Sequence, residues 1–120
     1  MFTETTDQAW SLKKVVHNDV TIYEMDAKED VLIGQAIWKG SQVMSNWMLS
    51  HHDLFKGKNV LELGSGPGLC GFTAGKLGAS KVILTDYKEP VMELIAHNIK
   101  QQENPNQYHS MLDWYFACDD

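Results

Sequence analysis

Apolar positions change their spacing several times along the chain, and each change marks an element. Residues 14–25, KVVHNDVTIYEM, are rich in Val, Ile, Thr and Tyr on either side of Asn18-Asp19. That pattern predicts a β-hairpin turning at Asn18-Asp19. Residues 41–53 follow Gly40 and open on Ser41, a good helix N-cap; Val43, Met44, Trp47 and Met48 then repeat at helical spacing until Lys56-Gly57-Lys58 ends the element. The run 59–64, NVLELG, is a short apolar stretch entering a glycine cluster, as a buried parallel strand does. A helix is expected over 69–77, where Gly71, Ala74 and Gly75 would let it sit close to a sheet, with Gly78 as its C-cap. Residues 81–86, KVILTD, read as a second buried strand. Pro90 suits the first turn of a further helix whose apolar face is Val91, Leu94, Ile95 and Asn98 or Ile99. After a loop over 101–107, a third strand is expected at 108–112. Strand, helix, strand, helix, strand from residue 59 onward predicts an α/β fold with a parallel sheet and right-handed crossovers. Residues 1–56 would form a hairpin-and-helix extension to a cofactor-binding half-domain at 57–120, the two making one domain.

Candidate chemistry concentrates where the first of those strands meets its helix, in Glu62-Leu63-Gly64-Ser65-Gly66-Pro67-Gly68. Glycines there allow a tight turn and let a ligand lie on bare backbone. The helix start offers unpaired N–H groups and partial positive charge. The dinucleotide fingerprint G-x-G-x-x-G would need a third glycine where Leu69 stands, and the Gly-Lys-Ser/Thr ending of a phosphate P-loop is missing. Glu62, beside the loop, suits a ligand bearing an amine and a sulfonium better than a pyrophosphate. Asp86 ends the next strand, 20 residues after Gly66, where an acidic side chain can accept hydrogen bonds from both hydroxyls of a ribose. Both strand ends open on the carboxyl edge of the sheet, where such folds bind ligands.

Four stretches in order resemble the protein-lysine methyltransferases of the seven-β-strand class, the group related to methyltransferase-like 21 proteins (methyltransferase family 16). They are Gly34-Gln35-Ala36-Ile37-Trp38, the run Val60 to Leu69 around the glycine loop, Leu84-Thr85-Asp86 with Asn98-Ile99 downstream, and Leu112-Asp113-Trp114. The resemblance covers about residues 33–114. It implies a Rossmann-like fold, S-adenosylmethionine as cofactor and methyl transfer to a protein lysine. It also implies roles: Trp38 lining the cofactor pocket, Gly64, Ser65 and Gly66 cradling the methionine part, with Glu62 and Gly68 in the same motif, Asp86 holding the ribose, and Asp113 and Trp114 bordering the adenine. Trp10 and Trp47 lie in none of these roles and are expected to pack. Pro67 stands where the family often has Thr and removes one N–H donor from the loop. After Leu-Asp-Trp the family continues into a fourth strand with an Asp-x-x-Tyr-like motif that faces the substrate. Residues 115–120 do not reproduce it, so the chain is expected to be a C-terminally truncated form. Two other readings stay open. One is a nicotinamide-dinucleotide oxidoreductase, against which Leu69 counts. The other is a catalytically inactive cofactor-binding or interaction module on the same scaffold.

Charge and cysteine content narrow the setting. A net charge of -6 argues against bulk attraction to nucleic acid or an anionic membrane, and the lysines are dispersed. No nucleic-acid or membrane partner is expected; a protein substrate is. Cys70 and Cys118 lie in no metal-ligand pattern and read as reduced thiols. His51-His52 are adjacent, so on a helix they point about 100° apart and cannot easily share a metal. No metal site is expected. A secretory signal and a membrane-spanning run are both missing from the sequence, so the cytoplasm, and also the nucleus, is the expected location.

Overall fold

Five strands and three helices emerge from these periodicities in a computed structural model that describes residues 11–26 and 33–114. Trp10, Cys118 and the segment 115–120 lie outside the described residues. Strands β1 (Leu12–His17) and β2 (Val20–Met25) pair antiparallel, with His17 opposite Val20. Asn18 and Asp19 both take positive φ, 51° and 64°, which is the two-residue turn that matches the natural twist of a hairpin. Alternation along β2 buries Val20 and Ile22 on one face, and Met25 is buried on the other.

Helix α1 spans Lys39–Ser50, three residues earlier than an N-cap at Ser41 would place it. Its N-cap is Trp38, with no side-chain capping bond, so Ser41 lies inside the first turn. A short 3-10 turn at His52–Leu54 replaces the expected end of the helix. The buried face is also different. Val43, Met44 and Trp47 are exposed, and the ring of Trp47 stacks on His51 at 4.0 Å. Ser45 and Met48 are the buried pair, and the Ser45 hydroxyl lies 2.9 Å from that of Thr73 on the next helix. A hydroxyl pair needs no apolar partner, because each group satisfies the other away from water.

Strands β3 (Asn59–Glu62), β4 (Lys81–Asp86) and β5 (Gln107–Met111) form one parallel sheet in that order. Helices α2 (Leu69–Lys76) and α3 (Glu89–Gln101) are the crossovers, and Pro90 sits in the first turn of α3. β3 stops at Glu62, two residues short of the run 59–64. Gly78 closes α2 as expected: its N–H bonds the Gly75 carbonyl, and Ala79 N–H bonds the Ala74 carbonyl, each at 3.1 Å. Gly71 brings α2 against the sheet, for a Cβ there would stand 2.7 Å from Leu84. Phe72, Val82, Leu84, Val91 and Ile95 form the core, and Val20 and Ile22 of the hairpin are part of the same cluster. The other sheet face carries a row of Leu61, Ile83 and Tyr108 in register, with Leu61 59% exposed. Among the described residues no helix is long and apolar enough to cross a membrane.

Candidate functional site

A cleft of about 620 Å³ opens at the carboxyl ends of β3 and β4. One wall is the glycine loop, Gly64 to Pro67; the other is Gly34, Ala36, Trp38 and Ser41; Asp86, Tyr87, Lys88 and Val91 form the floor. Sequence order alone brings the loop and Asp86 together, since adjacent parallel strands end side by side.

Ser65, Gly66 and Pro67 are each tied to a different neighbour. Ser65 N–H donates to the Thr85 carbonyl at 2.8 Å, and the Ser65 hydroxyl receives Thr85 N–H at 3.0 Å. These bonds prolong the β3–β4 pairing past the end of β3. Gly66 N–H donates to Asp86 Oδ2 at 3.0 Å. The Pro67 carbonyl accepts from the Asn98 amide at 2.9 Å. Gly64 and Gly66 hold φ of 63° and 54°, in the left-handed region open to glycine. A Cβ on Gly64 would meet nothing nearer than the Trp114 ring at 3.8 Å, so bare backbone faces open space there. A Cβ on Gly66 would come within 3.1 Å of the Gly34 carbonyl, the place where the two walls meet.

Asp86 also accepts Tyr87 N–H on Oδ1 at 2.8 Å. A carboxylate offers about four acceptor positions, so two bonds to backbone leave capacity toward the cleft. Trp38 stands in the cleft wall 57% exposed rather than in the core, and Trp114 is 62% exposed beside Gly64.

Four residues picked from the sequence, Glu62, Gly68, Asp113 and Trp114, do not line the cleft, although Trp114 stands beside Gly64. Glu62 shares the core-facing side of β3 with Val60, and its Oε1 accepts Gly71 N–H at 3.1 Å. Gly71 is the third residue of α2, whose own N-cap, Gly68, has no side chain to offer. Glu62 thus caps α2 from the preceding strand. Burial pushes its carboxyl up from 4.5 to about 7, against the lowering pull of bonds from Ser65 and Gly71. Gly68 serves packing, since a Cβ there would stand 2.6 Å from Phe72 and 2.9 Å from Leu84. Asp113 is part-buried and outside the cleft lining. Conversely, Gly34, Ala36, Ser41, Tyr87, Lys88 and Val91 line the cleft without having been assigned a role. Tyr87 and Lys88 were legible, because they follow Asp86 at the same sheet edge.

Cys70, the second residue of α2, is half-buried and its thiol points to the Ser41 carbonyl at 3.5 Å. Burial, with Glu62 nearby, pushes that thiol up to about 12, so it stays protonated and a poor nucleophile.

Comparison with known proteins bears on the same cleft. A family model described as lysine methyltransferase matches residues 16–119. Methyltransferase-like protein 23 of Dictyostelium discoideum is 36% identical over 98 residues, covering 78% of this chain and 37% of that protein. The protein N-terminal and lysine N-methyltransferase efm7 of Neurospora crassa is 30% identical over 84 residues, covering 69% of this chain and 29% of that protein. Among solved structures, the Pyrococcus abyssi tRNA (uracil-54, C5)-methyltransferase in complex with S-adenosyl-L-homocysteine superposes with a TM-score of 0.58 at 18% identity, over 85% of this chain and 24% of that one. At that identity the likeness is one of fold, and the fold is Rossmann-like. The chain spans about a quarter to two-fifths of the length of these three proteins.

Proposed function

Because the chain belongs to the lysine methyltransferase family, we propose that this cleft binds S-adenosylmethionine and serves methyl transfer to a lysine side chain of a protein. One observation carries the reading: the Asp86 carboxylate faces the same 620 Å³ space as the bare backbone of Gly64 to Gly66. A volume of that size is in the usual range for small-molecule sites, about 300–1,000 Å³.

The residues present fit the cofactor part by part. Asp86 keeps acceptor capacity for the ribose hydroxyls. Gly64 leaves room for the methionine part against backbone. Trp38 supplies an indole in the wall opposite the loop, and Trp114 one beside Gly64, for the adenine. Glu62 places a carboxyl behind the loop, where its charge favours a cationic ligand through the intervening backbone. The bound cofactor supplies an electrophilic methyl group on sulfur. The chain's own task is to hold the reacting partners in line and to keep water out. A lysine ammonium has to lose its proton before it can attack, and an environment poor in water favours that loss. Relatives whose names state lysine methylation support the protein acceptor.

Calorimetric titration of the folded chain with S-adenosylmethionine and S-adenosylhomocysteine tests the cofactor. Saturable heat with both is expected, with NAD unable to compete. No heat and no thermal shift with either ligand, beside a methyltransferase that gives both, removes the reading; efficient competition by NAD returns it to an oxidoreductase. Transfer of a radiolabelled methyl group to protein, with label recovered on lysine, tests the acceptor.

A further inference from the structure

The hairpin stands outside the parallel sheet, yet both cleft walls are tied to one pair of adjacent residues on β2. At Tyr23 the tie is made by backbone. Tyr23 N–H donates to Asn98 Oδ1 at 2.8 Å, and the Asn98 amide donates back to the Tyr23 carbonyl at 2.8 Å. The same Asn98 amide nitrogen donates to the Pro67 carbonyl at 2.9 Å. Asn98 is fully buried, so both amide hydrogens and the oxygen have partners and none faces water. The glycine loop is thereby held to the hairpin through a single carboxamide. At Glu24 the tie is made by side chain. Its Oε1 accepts Ile37 N–H at 2.8 Å, next to Trp38 in the opposite wall. In front, the walls touch where Gly66 passes Gly34. Behind, both are held by β2.

We propose that the hairpin sets the separation of the two cleft walls, with Glu24 and Asn98 as positioning residues for the bound cofactor. Neither side chain lines the cleft. They act through Ile37 and Pro67, whose backbone groups would otherwise be free to shift by the length of a lost hydrogen bond. The inference deepens the cofactor reading and takes its ligand from it.

The test is S-adenosylhomocysteine titration of the wild-type chain, Glu24→Ala, Glu24→Gln and Asn98→Asp, at a temperature where circular dichroism shows each fully folded. Amide hydrogen exchange is followed in the same samples without ligand. Glu24→Ala removes the acceptor, and Glu24→Gln keeps one. Asn98→Asp keeps the acceptor for Tyr23 but has no donor for Pro67. Glu24→Ala should bind about tenfold more weakly, the loss typical of one charge-assisted hydrogen bond, and Glu24→Gln should recover to within about threefold. A residue that only stabilises the fold would lower the melting temperature and leave affinity unchanged in folded protein. Wild-type affinity in Glu24→Ala, or no recovery in Glu24→Gln, overturns the proposal. If the wild-type chain itself does not bind, the cofactor reading falls, and exchange decides the tie alone. Ile37 N–H should be protected in the wild type and should exchange about tenfold faster in Glu24→Ala. Rapid exchange at Ile37 in the wild type overturns the tie even if every variant fails to fold.

Discussion

Replacing Glu62 with Gln isolates the cost of a charge behind the glycine loop. The Gln oxygen can still accept Gly71 N–H, so the cap on α2 survives while the titration disappears. In the wild type, burial raises the carboxyl from 4.5 to about 7. The folded chain therefore holds this proton more tightly than the unfolded chain does. Where the folded state binds more protons, stability falls as pH rises. The contribution is intact below pH 4.5, is lost progressively through the interval up to about pH 7, and is constant above it. At about 1.4 kcal/mol for each pH unit, the interval amounts to about 3 kcal/mol. That is a large share of the stability of a domain this size. Urea unfolding followed by circular dichroism, from pH 4.5 to pH 8 on both chains, reads it directly. The stability of Glu62→Gln relative to wild type should climb by about 3 kcal/mol across that range and then level off. Parallel profiles for the two chains would show that Glu62 ionises as an ordinary surface carboxyl does, and the buried-cap account would fail.

Asp86→Ala should weaken S-adenosylhomocysteine binding by about 1.5–3 kcal/mol, since it removes a charged acceptor and frees Gly66 N–H from the loop. Calorimetry checks it, and equal affinity would strip Asp86 of its ribose role. Asp113→Ala should cost less in the same assay, because Asp113 lies outside the cleft lining. Gly71→Ala should destabilise by about 1–3 kcal/mol, because its Cβ would press on Leu84 and on the Glu62 carboxylate; a thermal melt at unchanged stability would refute the close approach. Cys70 should resist alkylation at pH 8 in the folded chain and react once urea unfolds it, as mass spectrometry of iodoacetamide adducts would show.

The βαβ succession was legible because its punctuation is chemical. Asn18-Asp19 accepts positive φ, Gly78 closes α2 and Pro90 opens α3, so each boundary followed from what one residue tolerates. α1 was misread for the opposite reason. Val43, Met44 and Trp47 supply a convincing apolar stripe, but the helix turns inward through Ser45, whose hydroxyl meets Thr73. A count of apolar positions cannot see a face buried by paired hydroxyls. Glu62 is different again, for its direction was available in the sequence. It stands two residues after Val60, and a strand repeats its face every two residues, so it had to share the core side of β3. Its place beside the glycine loop points to its charge and hides that parity. The wall at Gly34 and Ala36 needed three dimensions, because nothing local says that a segment before α1 returns to cover a loop nearly thirty residues later.

The bonds that join β2 to α3 also bear on the order in which the molecule assembles. The Asn98–Tyr23 contacts span 75 residues of chain, and the Gln102–Thr21 contact spans 81. Hairpin closure and helix growth need only near neighbours and proceed quickly. Contacts of such separation give nothing until the intervening chain has been brought round and its closure entropy met. Docking of the hairpin is thus expected to follow closure of the hairpin and growth of the helices, and with it the final spacing of the cleft. On that order a lesion at Asn98 should mainly hasten unfolding and leave the folding rate nearly untouched, which stopped-flow unfolding and refolding of Asn98→Asp against the wild type would read. If the hairpin docks late, the spacing of the cleft is set late as well, and local opening at β2 would loosen it before the parallel sheet is disturbed.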